Sequence, residues 1–156
     1  MAVIPWNIYK NVEWHLHNRA HLVENAVENM TDIEDDVFNG SRALSADTRS
    51  PSGTSKHSDP TAQKAMTIIR AHERVENARK WGFVMDKTFA YFEGTLTGEV
   101  ALRFYGQRRK ILQIATDLDI DRQTIRRHRD EFVCLCALYA SESGLIHIER
   151  REAVNE

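Results

Sequence analysis

The sequence predicts an all-α fold: an N-terminal helix, a long central helix and a C-terminal helix-turn-helix. Three observations predict it. Apolar residues recur every three or four positions along most of the chain, and no alternating strand pattern exceeds a few residues. No helix breaker stands between Pro5 and Gly40. The segment Ile111 to Arg129, ILQIATDLDIDRQTIRRHR, has the apolar spacing of two short helices joined by a tight turn. With 156 residues the chain suits one domain, or a small domain with an extended arm.

Residues 1–38 read as an N-terminal helical arm. From Asn7 to about residue 37, Ile8, Val12, Leu16, Val23, Ala26, Val27 and Met30 keep near-helical spacing, and Leu22 widens the stripe. Thr31 and Asp32 favour caps over interiors, which makes them the expected interruption. Residues 39–60, NGSRALSADTRSPSGTSKHSDP, have the composition of a mobile linker. It closes in Asp59-Pro60-Thr61, an N-cap followed by proline at the first helical position.

Residues 61–148 hold the long helix and the helix-turn-helix, and 149–156 are a tail. Ala65, Ile68, Ala71, Val75, Ala78, Trp81, Met85, Phe89 and Phe92 predict a helix from Thr61 to about Glu93, about 48 Å long if unbroken. Gly82 is where it would bend. Trp81, Phe89 and Phe92 are expected in the core, and Trp6 and Trp14 in the core or at a dimer contact. Glu93-Gly94-Thr95 ends the long helix. A short helix, Thr97 to about Tyr105, stops at Gly106. The last helix runs on through FVCLCALYASESGL, with Phe132, Leu135, Leu138 and Tyr139 as its expected core face and Gly144 as its stop.

Within the motif, Ile114, Ala115 and Leu118 share one side of the first helix. Ile120 closes the turn and Ile125 holds the second helix against the first. Asp119 takes the turn position where many such motifs carry glycine, and aspartate tolerates left-handed backbone better than most residues. Asp121 is the expected N-cap of the second helix. Arg122, Gln123, Arg126 and Arg127 then point outward, where they suit guanine and adenine edges or phosphates. Arg129 lies nearer the core side, for phosphate contact or pairing within the chain. Arg108, Arg109 and Lys110 precede the motif, where backbone phosphates commonly run. The competing reading is a charged helical hairpin whose arginines pair with Asp121 and Asp130.

Charge is uneven along the chain. Residues 1–60 carry five Lys/Arg against nine Asp/Glu, and residues 131–156 two against five. Residues 101–130 carry eight against four, so positive charge gathers on the motif although the chain as a whole is at −2. The acidic N-terminal third is expected to face protein rather than DNA. No P-loop, G-x-G-x-x-G, H-E-x-x-H or G-x-S-x-G is present, so no enzyme or cofactor is expected. Glu13, His17 and His21 share a helix face at four-residue spacing but lack a third strong ligand nearby, and read as a polar face rather than a metal site. Cys134 and Cys136 point in different directions on one helix and read as free thiols. With no signal peptide and no run of about 20 apolar residues, the expected location is the cytoplasm, away from membranes.

The order of elements carries a resemblance. An acidic helix precedes a polar loop closing in D-P-T. A long helix, a short helix ending in LRFYG, and an I-A-x-x-L-x-I-x-x-x-T-I-x-R motif follow. Ile114, Ala115, Leu118, Ile120, Thr124, Ile125 and Arg127 carry the last of these. Residues 60–143 resemble the RinA/ArpU-type phage transcriptional regulators, whose C-terminal part is similar to region 4 of sigma factors. The resemblance implies a regulator of phage late or packaging genes. It would bind double-stranded DNA, with Thr124 joining the DNA-facing set, and would contact host RNA polymerase. A homodimer is expected, because one recognition helix reads few base pairs. Two rival readings are a phage terminase small subunit, which also joins such a motif to oligomerising helices, and a polymerase-binding module that reads no DNA.

Overall fold

The computed structural model describes residues 4–43 and 59–148. These are all-α, with no strand among them. The helices are α1 (Trp6–Asn18), α2 (Leu22–Ala43), α3 (Pro60–Tyr91), α4 (Leu96–Ala101), α5 (Ile111–Leu118) and α6 (Arg122–Glu142). A 3₁₀ turn, Arg19–His21, joins α1 to α2, and a π-helical turn, Leu102–Gly106, follows α4. Among the described residues no helix is long and apolar enough to cross a membrane. The residues group into two compact units, 1–20 with 80–156, and 21–79.

In the first unit α1 buries Ile8, Tyr9, Val12 and Leu16, one stripe at i, i+4, i+8 with its neighbour. That stripe meets α6 and the π turn. The second half of α3 contributes Trp81, Val84, Met85 and Thr88, and Phe92 follows just past its end, all buried. Phe132 of α6, fully buried, is the hub. Its ring centre lies 4.7 Å from that of Phe89, 5.6 Å from Phe92 and 6.1 Å from Tyr105. Removing such a side chain typically costs about 3–5 kcal/mol.

Two close approaches need their residues. Thr95 caps α4, its hydroxyl accepting from the Gly98 amide at 3.2 Å and donating to the Phe92 carbonyl at 2.7 Å. A Cβ at Gly98 would stand 2.1 Å from that same carbonyl oxygen, so only glycine lets α4 leave α3 so sharply. After α4 the Gln107 amide donates to the Leu102 carbonyl at 3.0 Å, a five-residue reach that widens the helix by one residue.

The second unit pairs α2 with the first half of α3, His72 Nε2 lying 2.9 Å from Glu34 Oε1. Asp59 caps α3, accepting from the Thr61 amide at 3.0 Å, and Pro60 is its first residue. The helix continues through Gly82 to Tyr91.

Several sequence expectations are corrected. The N-terminal helix breaks at Arg19–His21, not at Thr31 and Asp32. The Thr31 hydroxyl instead bonds the Val27 carbonyl one turn back, which lets threonine sit inside a helix. α2 runs on to Ala43, past Asn39 and Gly40, while 44–58 of the expected linker and the tail 149–156 lie outside the described residues. On α6, Leu138 is exposed and Leu135 and Tyr139 half-buried. The inward stripe follows Ile125 at helical intervals through Phe132, Val133, Cys136, Ala137 and Ala140. At 100° per residue Leu138 is about 180° from that stripe's centre. Of the two places expected for Trp6 and Trp14, the core is excluded, since both are exposed.

Candidate nucleic-acid interface

The motif is built on one small apolar cluster. Val100, Ile114, Ala115 and Ile125 are buried together, with Phe104, Ile111, Leu118 and Ile120 packed around them. Ala115 leaves room for α5 and α6 to cross closely. The Gln113 side chain reaches back to accept from the Lys110 amide at 3.2 Å and starts α5. Asp119 ends it in left-handed backbone, φ 53°, ψ 46°. The Ile120 amide then donates to the Ala115 carbonyl at 3.0 Å, which closes the turn.

Asp121 fixes the start of α6. Its carboxylate accepts from the amides of Gln123 at 2.8 Å and Thr124 at 3.0 Å, and from the Thr124 hydroxyl. The Thr124 bonds come first among the forces holding this carboxyl below its ordinary pKa, and the Arg127 charge adds to them. The cap is therefore an anion at neutral pH. Thr124 is half-buried and its hydroxyl is spent on the cap, so it orients the helix rather than reaching outward.

Past this cap, Arg122, Gln123, Arg126 and Arg127 are exposed, and the three arginines have no ion pair among the described residues. Four side chains with many donors thus stand on the first two turns of a helix whose inner face is locked by Ile125. Such a set can form bidentate bonds to base edges or single bonds to phosphates.

The other cations expected here are less available. Arg108 has φ 53° and donates to the His17 carbonyl at 3.1 Å, so it covers the C-terminal end of α1. Arg109 is paired with Asp117. Lys110 is exposed and has no ion pair among the described residues. Arg129, whose side chain is 21% exposed, lies 3.9 Å from Glu13 and 3.5 Å from Asp130, with its guanidinium 5.3 Å from the Phe104 ring centre. It has taken the pairing role within the chain.

Sequence reasoning did not single out Arg103 and Asp117. Arg103 bonds Glu99 at 2.6 Å and Asp117 at 3.3 Å, so Asp117 bridges two arginines beside α5. The Glu99–Arg103 spacing of four was readable, but Asp117 gave no local signal. The docking of α1 was missed as well. The Tyr9 hydroxyl donates to Asp130 at 2.7 Å, and Thr97 donates to Glu131 at 2.9 Å with His128 Nδ1 2.8 Å away. These bonds brace α6 just beyond its outward arginines. The expected polar face divides: Glu13 pairs with Lys10 at 3.0 Å, His17 packs against Tyr105, and His21 pairs with Glu24 at 3.3 Å. Among the described residues no group of three His, Cys, Asp or Glu stands close enough to hold a metal ion. No family model, no curated protein and no solved structure matches this chain.

Proposed function

We propose that this chain is a sequence-specific DNA-binding regulator of transcription, acting on phage or prophage late or packaging genes in a bacterial cytoplasm. It carries out no catalysis. The observation behind this reading is the exposed Arg122, Gln123, Arg126 and Arg127 surface on a helix fixed from within by Ile125 and at its start by Asp121. Double-stranded DNA is the partner such a surface suits. Arg126 and Arg127 reach base edges, while Arg122 and Lys110 suit phosphates. Two copies reading paired half-sites supply the specificity that one helix lacks, and host RNA polymerase is the protein the regulator would recruit. The phage setting follows from the resemblance to RinA/ArpU-type regulators.

Sequencing the DNA recovered with the protein from its host tests the reading, by enrichment of one site upstream of packaging or structural genes. On that site Arg126→Ala with Arg127→Ala loses about 2–6 kcal/mol of binding while helicity and melting hold. Ile125→Asp, by contrast, unfolds the motif through a buried unpaired charge. Normal gel shifts by the double alanine variant would refute the assignment of α6. A protein that retains polymerase but shifts no DNA is a polymerase-binding module, and a ring of many subunits points to a terminase small subunit.

A further inference from the structure

Where α4 turns away from α3, the first unit has an open cleft of about 720 Å³. Gly94, φ 73°, makes the turn, and Gly98 stands against the Phe92 carbonyl at its corner. On the α4 side Thr95, Gly98, Glu99 and Leu102 line it, a spacing of three or four that puts them on one face. The other side is the end of α3, with Phe89 and Ala90, then Phe92 and Glu93 just beyond. Such a volume falls within the range of small-molecule sites.

The walls are apolar and the charge is of one sign. Phe89, Phe92, Leu96 and Leu102 supply most of the wall, and both leucines keep exposed surface there. The charged side chains lining the cleft are Glu93 and Glu99, with no lysine, arginine or histidine beside them. Glu93 is exposed and has no ion pair among the described residues. Glu99 bonds Arg103 through one carboxylate oxygen at 2.6 Å, and its side chain is still 44% exposed. The carbonyl end of α3 adds partial negative charge, and its last turn holds no basic residue to balance it. Phe89 is already a cation acceptor. The Arg19 guanidinium lies 4.6 Å from its ring centre, and Arg19 is itself paired with Asp86, outside this cleft.

We propose that this cleft binds a small organic cation, an ammonium or guanidinium group carried on a flat apolar body. The body packs on Phe89, Phe92 and the two leucines, and the charge faces Glu93 and Glu99. The site shares no residue with the DNA-facing set, so it stands or falls apart from that reading.

Calorimetric titration of the full chain tests it, with three compounds that share one ring system. Naphthylmethylamine is a cation at neutral pH, naphthylmethanol is neutral and naphthoate is an anion. The amine is expected to saturate at one per chain and to bind about tenfold tighter than the alcohol, with naphthoate weakest. Glu93→Gln is expected to bring the amine down towards the alcohol's affinity and to leave the alcohol unchanged. Ala90 is exposed on the cleft wall, and lysine is a good helix former. Ala90→Lys therefore supplies the cation from within the chain and is expected to abolish amine binding. Circular dichroism checks that both variants stay helical, and if one does not, the other decides. Acetyl-Leu-Arg-Leu-amide separates a free ligand from an arginine presented by a protein. Binding of the tripeptide without the amine would assign the cleft to a protein partner and overturn the proposal. So would an amine that does not saturate, equal affinity for all three compounds, or amine binding that both substitutions leave untouched.

Discussion

Asp121 shows how one side chain sets up a surface it does not join. Its carboxylate satisfies two of the amides that open α6 and holds Thr124 in place. Everything outward on that helix is oriented by this start. The Thr124 bonds, then the remaining cap contacts, keep the carboxyl below its ordinary pKa. A carboxyl depressed in the folded state stabilises above its unfolded value, and that contribution is lost as pH falls through the lower folded value. Asparagine caps nearly as well and does not titrate. Asp121→Asn should therefore melt close to wild type at neutral pH and fall less steeply in acid. Asp121→Ala should melt lower than both at neutral pH. Parallel acid slopes for wild type and Asn, in thermal melts followed by circular dichroism, would mean that the cap does not carry the charge. Two residues earlier, Asp119 occupies left-handed backbone that costs a non-glycine residue about 1–3 kcal/mol, a strain the closed turn sustains.

At the scale of elements, what was legible in the sequence was what is local. The α5–α6 motif, the Asp59-Pro60 start of α3 and the Gly144 stop all rest on spacing and caps within a few residues. The break at Arg19–His21 has no such mark: it contains no glycine or proline, and it falls where the chain passes from one compact unit to the other. The docking of α1 was equally hidden, because its partners lie far along the chain. Tyr9 bonds Asp130, and His15 stacks on Trp81 with ring centres 3.9 Å apart. That docking has a pH consequence. Burial, first among the causes, lowers the pKa of His15 and of His17 below the ordinary 6.5. Around His17 Glu13 opposes the shift, while Arg108, Arg129 and Lys10 add to it. The unfolded chain takes up its protons first, so this stability is present above about pH 6.5 and is lost as pH drops through that value towards the folded ones. Melting followed by tryptophan fluorescence should fall between pH 7.5 and 5.5. Replacing both histidines by glutamine should flatten that step, and an unchanged step would assign it to other groups.

Across the whole molecule, a chain at −2 has its largest net positive charge in residues 101–130, and even there pairing thins it out. The outward arginines of α6 were readable because helical periodicity alone decides which way they point. The fate of Arg108, Arg109 and Arg129 was not, since each is claimed by a carbonyl or carboxylate that only the fold brings near. Asp117 has the largest hold, tying Arg109 directly and Arg103 together with Glu99. It lies beside the segment expected to run along phosphates, so on the proposed DNA-binding reading it would lower the charge that non-specific DNA meets. Asp117→Asn leaves Arg103 its bond to Glu99 but releases Arg109. Each additional phosphate neutralised steepens the plot of log affinity against log salt by about 0.9. Fluorescence anisotropy on an unrelated duplex, between about 50 and 200 mM salt, should therefore show tighter binding for the variant at low salt. Its slope should be more negative by about 0.9 for each copy bound. If Arg109 faces no phosphate, the slope stays at the wild-type value, and the phosphate track of this surface must run from Lys110 and Arg122 alone.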